Sequence, residues 1–299
     1  MKKTKREQDA KTAYLFLMPY ILLFSVFILV PVMAAIALSF TFFDVINTPN
    51  FIGLQNYIAL FTQDTIFLKY VIPNTFYFAI VVGVGGYMLS FFLAYSLAQL
   101  QKLPRTLLSL AIYTPSMLGQ VFIGVVWKTI FSGDEKGILN YMLMELDLIN
   151  VPMQFLLTED YFMTIMIFVA LWSSMGIGFL AMLSGVMNIS GEQFEAGYID
   201  GISNRAQEIF YIIIPNMKPQ MLFGAVMSIT GAFNMGYIGV TLSGANPTPN
   251  YAGQLITNHI DDYAFIRYDM GYAAAISVVL LLLVYCINRV AYKVFQEDD

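Results

Sequence analysis

Charge, cysteine and histidine are all scarce in this sequence of 299 residues. Only 12% of it is charged, where soluble domains carry about a quarter, and so little charge excludes a soluble globular domain of this length. The single cysteine, Cys286, excludes an intramolecular disulfide. The single histidine, His259, has no Cys or His companion at ligand spacing, which argues against a zinc site of the usual kind and leaves it as a loop residue. No Gly-x4-Gly-Lys-Ser/Thr run occurs, so the chain has no P-loop and does not bind ATP by that route. The glycine-rich piece Gly83-Val84-Gly85-Gly86 lacks the lysine and lies within an apolar run, where close helix packing through small residues explains it.

What the sequence has instead is apolar length. Hydrophobic residues make up 58% of it and the mean hydropathy is +0.68. Six runs, 13–40, 74–100, 106–131, 161–187, 219–242 and 271–292, are long enough to cross about 30 Å of hydrocarbon, which takes roughly 20 helical residues. The expected fold class is therefore an all-α polytopic membrane protein with six transmembrane helices. The first run follows Lys2, Lys3, Lys5 and Arg6 and so has the flanks of a secretory signal, but its apolar stretch exceeds the roughly 7–15 residues of a signal core. It reads as a retained anchor.

Basic residues set the orientation. With the N-terminus inside, eleven of the fifteen (Lys2, Lys3, Lys5, Arg6, Lys11, Lys102, Arg105, Arg205, Lys218, Arg289 and Lys293) face the cytoplasm. Lys69, Lys136 and Arg267 lie outside, with Lys128 near the outer end of the third span. The positive-inside rule then places both termini in the cytoplasm. The outside loops are short; the longest, 132–160, contains an apolar stretch at 138–144 that could form a short interfacial helix.

No carboxylate falls within any of the six runs. Carriers driven by protons or sodium usually keep an ionisable or coordinating group near mid-membrane, so energy is expected to enter from outside the membrane domain. Mid-span polar groups are neutral: Trp172, Ser173 and Ser174 in the fourth run, Thr230 and Asn234 in the fifth. Each is read first as a partner in interhelical hydrogen bonding. Trp172, Ser174, Thr230 and Asn234 are also the candidate lining of a path for a neutral polar substrate.

The connection 188–219 reads as structure rather than linker. Ser190 with Glu192 and Gln193 supplies an N-cap and a first-turn acid for a short helix over 191–198. Gly201 can end that helix in a left-handed conformation. An amphipathic helix over 205–211 then leads to Pro215. Two short helices about a glycine make a rigid protrusion suited to a groove on a partner.

Within this protrusion, Glu195-Ala196-Gly197-Tyr198-Ile199-Asp200-Gly201, followed by Ile212-Ile213-Ile214-Pro215, resembles the EAA loop of permease subunits of binding-protein-dependent ABC importers. Glu195, Ala196, Asp200, Gly201 and Pro215 match the pattern. Gly197 stands where a second alanine is usual, Ile202 where alanine follows the glycine, Ile214 in place of leucine, and Pro215 comes one residue later than the commonest spacing. Phe51-Ile52-Gly53-Leu54-Gln55-Asn56-Tyr57, Leu60-Phe61, Pro73-Asn74-Thr75, Val125-Val126-Trp127-Lys128 and Gly137-Ile138-Leu139-Asn140 look like the carbohydrate-type members. The similarity runs over about 13–292.

The resemblance implies a type I ABC permease fold. Residues 1–69 would hold the N-tail, an outer first helix and an outer loop; 70–292 would form the permease core, and 293–299 a cytoplasmic tail. It implies a heterodimer with a second permease subunit, two ATPase subunits that bind ATP and Mg, and an extracytoplasmic solute-binding protein. This chain would then be no enzyme, bind no cofactor or metal itself and take no nucleic acid as partner. Glu195, Ala196, Gly197, Asp200, Gly201 and Pro215 would couple it to the ATPase, and a sugar or oligosaccharide would be the cargo. A permease of the same build for an anion or amino acid shares the loop, but an anion site often recruits basic side chains or half-helix N-termini, and mid-span basic residues are lacking. An autonomous carrier would not need the charged loop.

Overall fold

The computed structural model describes residues 2–295, which are mostly helical; the end of the expected tail, 296–299, lies outside the described residues. Three helices are long and apolar enough to cross a membrane: Thr12–Leu38, Phe67–Ala98 and Met270–Lys293. Three helix pairs pass the same test together. Lys102–Met117 with Phe122–Ile130 bends by 99°, Glu159–Ser173 with Ile177–Met187 by 47°, and Lys218–Asn234 with Tyr237–Ser243 by 42°. Taking each bent pair as one span gives six.

The third, fourth and fifth spans are thus broken where continuous helices were expected. Each break holds a glycine: Gly119, Gly176 and Gly236. Leu118 turns extended, at ψ 137° just past Pro115, and Gly176 sits at φ −96°, ψ −144°. Hydropathy does not register these breaks because glycine and methionine keep the run apolar. Irregular backbone at membrane depth is tolerated where protein or a cavity supplies its partners, so the breaks point to a cavity.

The described residues fall into two compact units, the chain up to Gln63 with Tyr263–Val279, and Asp64–Asp262 with the chain from Leu280. In the first unit, Thr41–Phe42 pairs antiparallel with Asn50–Phe51. The buried Asn56 amide donates to Ser39 O at 3.0 Å and Thr41 O at 2.9 Å, and Tyr57 Oη donates to Ser39 Oγ at 2.7 Å. Gly53 turns the chain at φ 63°. The Phe51–Tyr57 motif therefore acts here as a clamp on the end of the first span.

In the second unit one apolar cluster gathers Phe78, Phe162, Met166, Ile238, Leu242 and Leu255. Another joins Ala94, Phe179, Met182 and Val186 to Ile213, Met217 and Met221. Amides fasten the connecting loops. Asn140, fully buried, donates to Ser132 O and Met153 O and accepts from Met153 N–H, all within 3.0 Å. Asn74 donates to Tyr251 O at 2.8 Å.

His259, expected as a loop residue, lies instead on the helix Ile256–Asp261 and is 1% exposed. Its Nε2 is 2.9 Å from Asp64 Oδ2, while Asp64 Oδ1 accepts the Phe67 N–H at 2.9 Å. A buried imidazole needs a polar partner, and here that partner comes from 195 residues away, which local sequence cannot reveal.

Candidate functional site

The loop between the fourth and fifth spans is built as two helices around one glycine. The first, Gly191–Ile199, carries Glu192 in its opening turn, where the helix dipole favours a negative charge. Ser190 occupies the N-cap position at φ −67°, ψ 141°, but its hydroxyl makes no capping bond, contrary to expectation. The C-terminus closes on Gly201 at φ 97°: Gly201 N–H donates to Tyr198 O at 3.2 Å and Ile202 N–H to Gly197 O at 2.9 Å. This pair of bonds satisfies two orphan carbonyls and requires a residue that tolerates positive φ.

The second helix starts at Arg205, capped by Asn204, whose Oδ1 accepts the Gln207 N–H at 2.9 Å. Gln207 reaches back to accept the Ser203 N–H at 2.9 Å. After Glu208 the helix widens into a π turn, Ile209–Ile213, before Ile214–Asn216. A π turn holds an extra residue relative to an α turn, which accounts for the late arrival of Pro215.

Two further departures, Gly197 and Ile202, meet in space. Gly197 is buried, and a Cβ built on it would lie 2.8 Å from Ile212 Cδ1 and 3.0 Å from Ile202 Cδ1. In this capping arrangement the residue after the glycine commonly packs on the third residue before the cap. Here isoleucine is large and its partner has no side chain, so the pair fills one volume. Gly197→Leu is expected to push both isoleucines aside and abolish transport. Gly197→Ala combined with Ile202→Val and Ile212→Val removes both Cδ1 atoms that the new methyl would meet and should keep uptake and thermal stability nearer wild type than Gly197→Leu. Uptake and melting curves of the two variants check this.

A second fastening is ionic. Glu208 is 3% exposed, and its Oε2 accepts from Arg205 Nη1 at 2.8 Å and from Tyr198 Oη at 3.3 Å. The bond to Glu208 raises the already high pKa of the Arg205 guanidinium. Tyr198 belongs to the first helix and Glu208 to the second, so the carboxylate ties them together. Phe194 and Ile209 anchor the same pair in the apolar cluster below. Sequence reasoning passed over Glu208; its signal was an acid three residues after an arginine, on one helical face.

Glu195, Ala196, Asp200, Gly201 and Pro215 are all exposed, whereas Gly197 is buried. Between the two helices lies a cleft of about 550 Å³ lined by Ala196, Gly197, Asp200, Gly201, Tyr211 and Asn216, among others. Apolar side chains stand free around it, Ile199 at 86% exposure and Tyr211 at 71%. An apolar residue so exposed on a rigidly capped turn is suited to a protein partner.

The candidate path residues are not brought together. Ser174 lines a cavity of about 470 Å³ where the three bent spans break. Trp172 packs edge-on against Trp127, with ring centroids 5.2 Å apart. Thr230 Oγ1 accepts from Asn288 Nδ2 at 3.2 Å, and the exposed Asn234 donates to Thr230 O at 2.9 Å. Ser90, Tyr113, Ser116, Ser173 and Ser228 join Ser174 on the cavity wall. Sequence reasoning missed most of them because their convergence depends on the breaks.

Residues 86–296 match the family model described as binding-protein-dependent transport system inner membrane component. The arabinooligosaccharides transport system permease protein AraP of Bacillus subtilis (strain 168) is 29% identical over 282 residues, covering 94% of this chain and 87% of that protein. The probable ABC transporter permease protein YesP of the same organism is 30% identical over 301 residues, covering 98% and 93%. A chain of a bacterial ABC transporter involved in import of the acidic polysaccharide alginate shares the fold, with a TM-score of 0.77 and 23% identity over 98% of this chain and 99% of that one. With a capped, exposed loop between its fourth and fifth spans and a family match over most of its length, this chain belongs to the inner membrane components of binding-protein-dependent transport systems.

Proposed function

We propose that this chain is one membrane subunit of an ATP-driven importer that passes a sugar or oligosaccharide, delivered by a solute-binding protein, through a pathway shared with a second permease subunit. The observation that carries the reading is the loop of residues 188–219: a helix ended by a positive-φ glycine, fastened to the next helix by Glu208, with Ile199 and Tyr211 held out in the open. A rigid exposed turn can transmit force from a partner into the spans it joins. ATP and Mg belong to two ATPase subunits on the cytoplasmic side, which the excess of basic residues assigns to this loop and to both termini. Residues 70–292 form the transport core. Closure of the ATPases moves the Gly191–Ile199 helix and turns the cavity between inward and outward access. The relatives support a saccharide cargo, but they span neutral and acidic sugars and so leave its charge open.

A gentle detergent pull-down from the native membrane tests the assembly. The expected result is recovery of a P-loop ATPase, a second six-span subunit and a solute-binding protein. Recovery of this chain alone, active in vesicles without ATP, would overturn the reading.

A further inference from the structure

At the end of the spans that carries the loop, a pocket of about 350 Å³ opens between the spans and the two short helices. Two arginines line it, Arg105 from the first turn of the helix Lys102–Met117 and Arg205 from the loop. Arg205 is paired with Glu208 at 2.8 Å, and that carboxylate also holds Tyr198. Arg105 has no such partner. It is half-buried, and its guanidinium makes no ion pair or hydrogen bond among the described residues. The three ionised groups on the wall, two arginines and one carboxylate, leave a net charge of +1.

The place of Arg105 on its helix is unfavourable as it stands. The positive end of a helix disfavours a cation, yet Lys102 and Arg105 both occupy the opening turn and no acid does. No side chain caps that end, since Gln101 at the N-cap position makes no capping bond. An anion in the pocket offsets both the unpaired guanidinium and the dipole behind it. Gln99, also on the wall, adds a side-chain amide without a partner among the described residues. A phosphate group suits this set, because a guanidinium fork binds two of its oxygens at once and the amide donates to a third. Leu103 and Leu107, exposed on the same helix, give apolar surface suited to a lipid chain.

We infer that this pocket binds a phosphate group, held between Arg105 on the third span and Arg205 on the loop. The group is either the head of an anionic lipid, which basic pockets between spans can take, or a soluble phosphate. Bound there, it bridges the start of the third span to the helix that carries Glu208 and steadies the loop against the spans. The inference goes beyond the importer reading and does not depend on the cargo.

The test uses the complex as purified from its native membrane, placed in nanodiscs of phosphatidylcholine and kept free of ATP. Its melting temperature is followed as inorganic phosphate is added, and separately as phosphatidylglycerol is included in the disc, for wild type, Arg105→Gln and Arg105→Lys. Arg105 holds no partner within the described residues, so both variants should melt with wild type when neither anion is present. At least one anion is expected to raise the wild-type temperature. Arg105→Gln should then need roughly tenfold more of it or lose the rise altogether, while Arg105→Lys keeps part of it. A response to phosphatidylglycerol alone assigns the site to a lipid head, and a response to inorganic phosphate assigns it to a soluble group. No rise with either anion overturns the inference. So does an equal rise in wild type and Arg105→Gln, which is what phosphate held on another subunit would give.

Discussion

Replacing Gly201 by valine is expected to abolish uptake while leaving the protein in the membrane at its normal level. The residue sits at φ 97° and closes the Gly191–Ile199 helix through the Gly201–Tyr198 and Ile202–Gly197 bonds. A Cβ built there would meet nothing within 4 Å, so space is not the obstacle. The cost is conformational, about 1–3 kcal/mol for a side chain held in a sparsely populated backbone region. A β-branched residue suffers most there, alanine less, and asparagine least, because asparagine tolerates left-handed backbone better than other non-glycine residues. The strain is relieved by opening the cap, which releases Asp200 and Ile199 from their fixed positions. The six spans keep their own packing and should survive. Uptake should thus fall in the order asparagine, alanine, valine. Normal uptake in Gly201→Val would remove the rigid turn from the mechanism.

Glu208→Ala is expected to uncouple rather than unfold. The carboxylate is 3% exposed and joins Arg205 on its own helix to Tyr198 on the preceding one. Arg205 is 66% exposed and can turn to water when its partner is lost. The Tyr198 hydroxyl loses its acceptor; at 3.3 Å and half exposed, that bond contributes less than the roughly 1.5–3 kcal/mol of a short bond to a charged group. Without that tie the first helix is held to the second by apolar packing alone, and part of the force on it is dissipated in the loop. Coupling free energies between sites run about 1–3 kcal/mol, or roughly 5–150-fold, so the sugar moved per ATP hydrolysed should drop by about tenfold. Tyr198→Phe removes the same bond from the other side and should lower the ratio in the same direction. Glu208→Gln keeps an acceptor and should fall between. A wild-type ratio in Glu208→Ala would show that the tie is merely structural.

The features that sequence made legible are those written locally. Hydropathy located all six spans because burial in hydrocarbon demands some twenty apolar residues in a row, and Gly201 announced itself because few residues other than glycine accept its backbone conformation. The EAA-like pattern placed the loop. Three of its four irregularities became intelligible only in three dimensions: Gly197 and Ile202 share one volume, and Pro215 arrives late because residues 209–213 widen into a π turn. The breaks in the bent spans were hidden by their own apolar residues, and with them the serines that converge on the cavity. His259 was misjudged for a related reason, since Asp64 lies far away in sequence. Trp172, Thr230 and Asn234 were chosen for depth in the span, but depth does not fix the face a helix presents once its span is kinked.

The central claim is that the Gly191–Ile199 turn bears directly on an ATPase, and site-directed crosslinking tests it most directly. Ile199 is 86% exposed, and Cys286 is the only native cysteine. Ile199→Cys in a Cys286→Ser background, within the intact assembly, should crosslink to the ATPase subunit with a yield that changes when ATP is added. A crosslink to the ATPase that fails to form at Ile199→Cys, while the assembly still transports with ATP, would contradict the account.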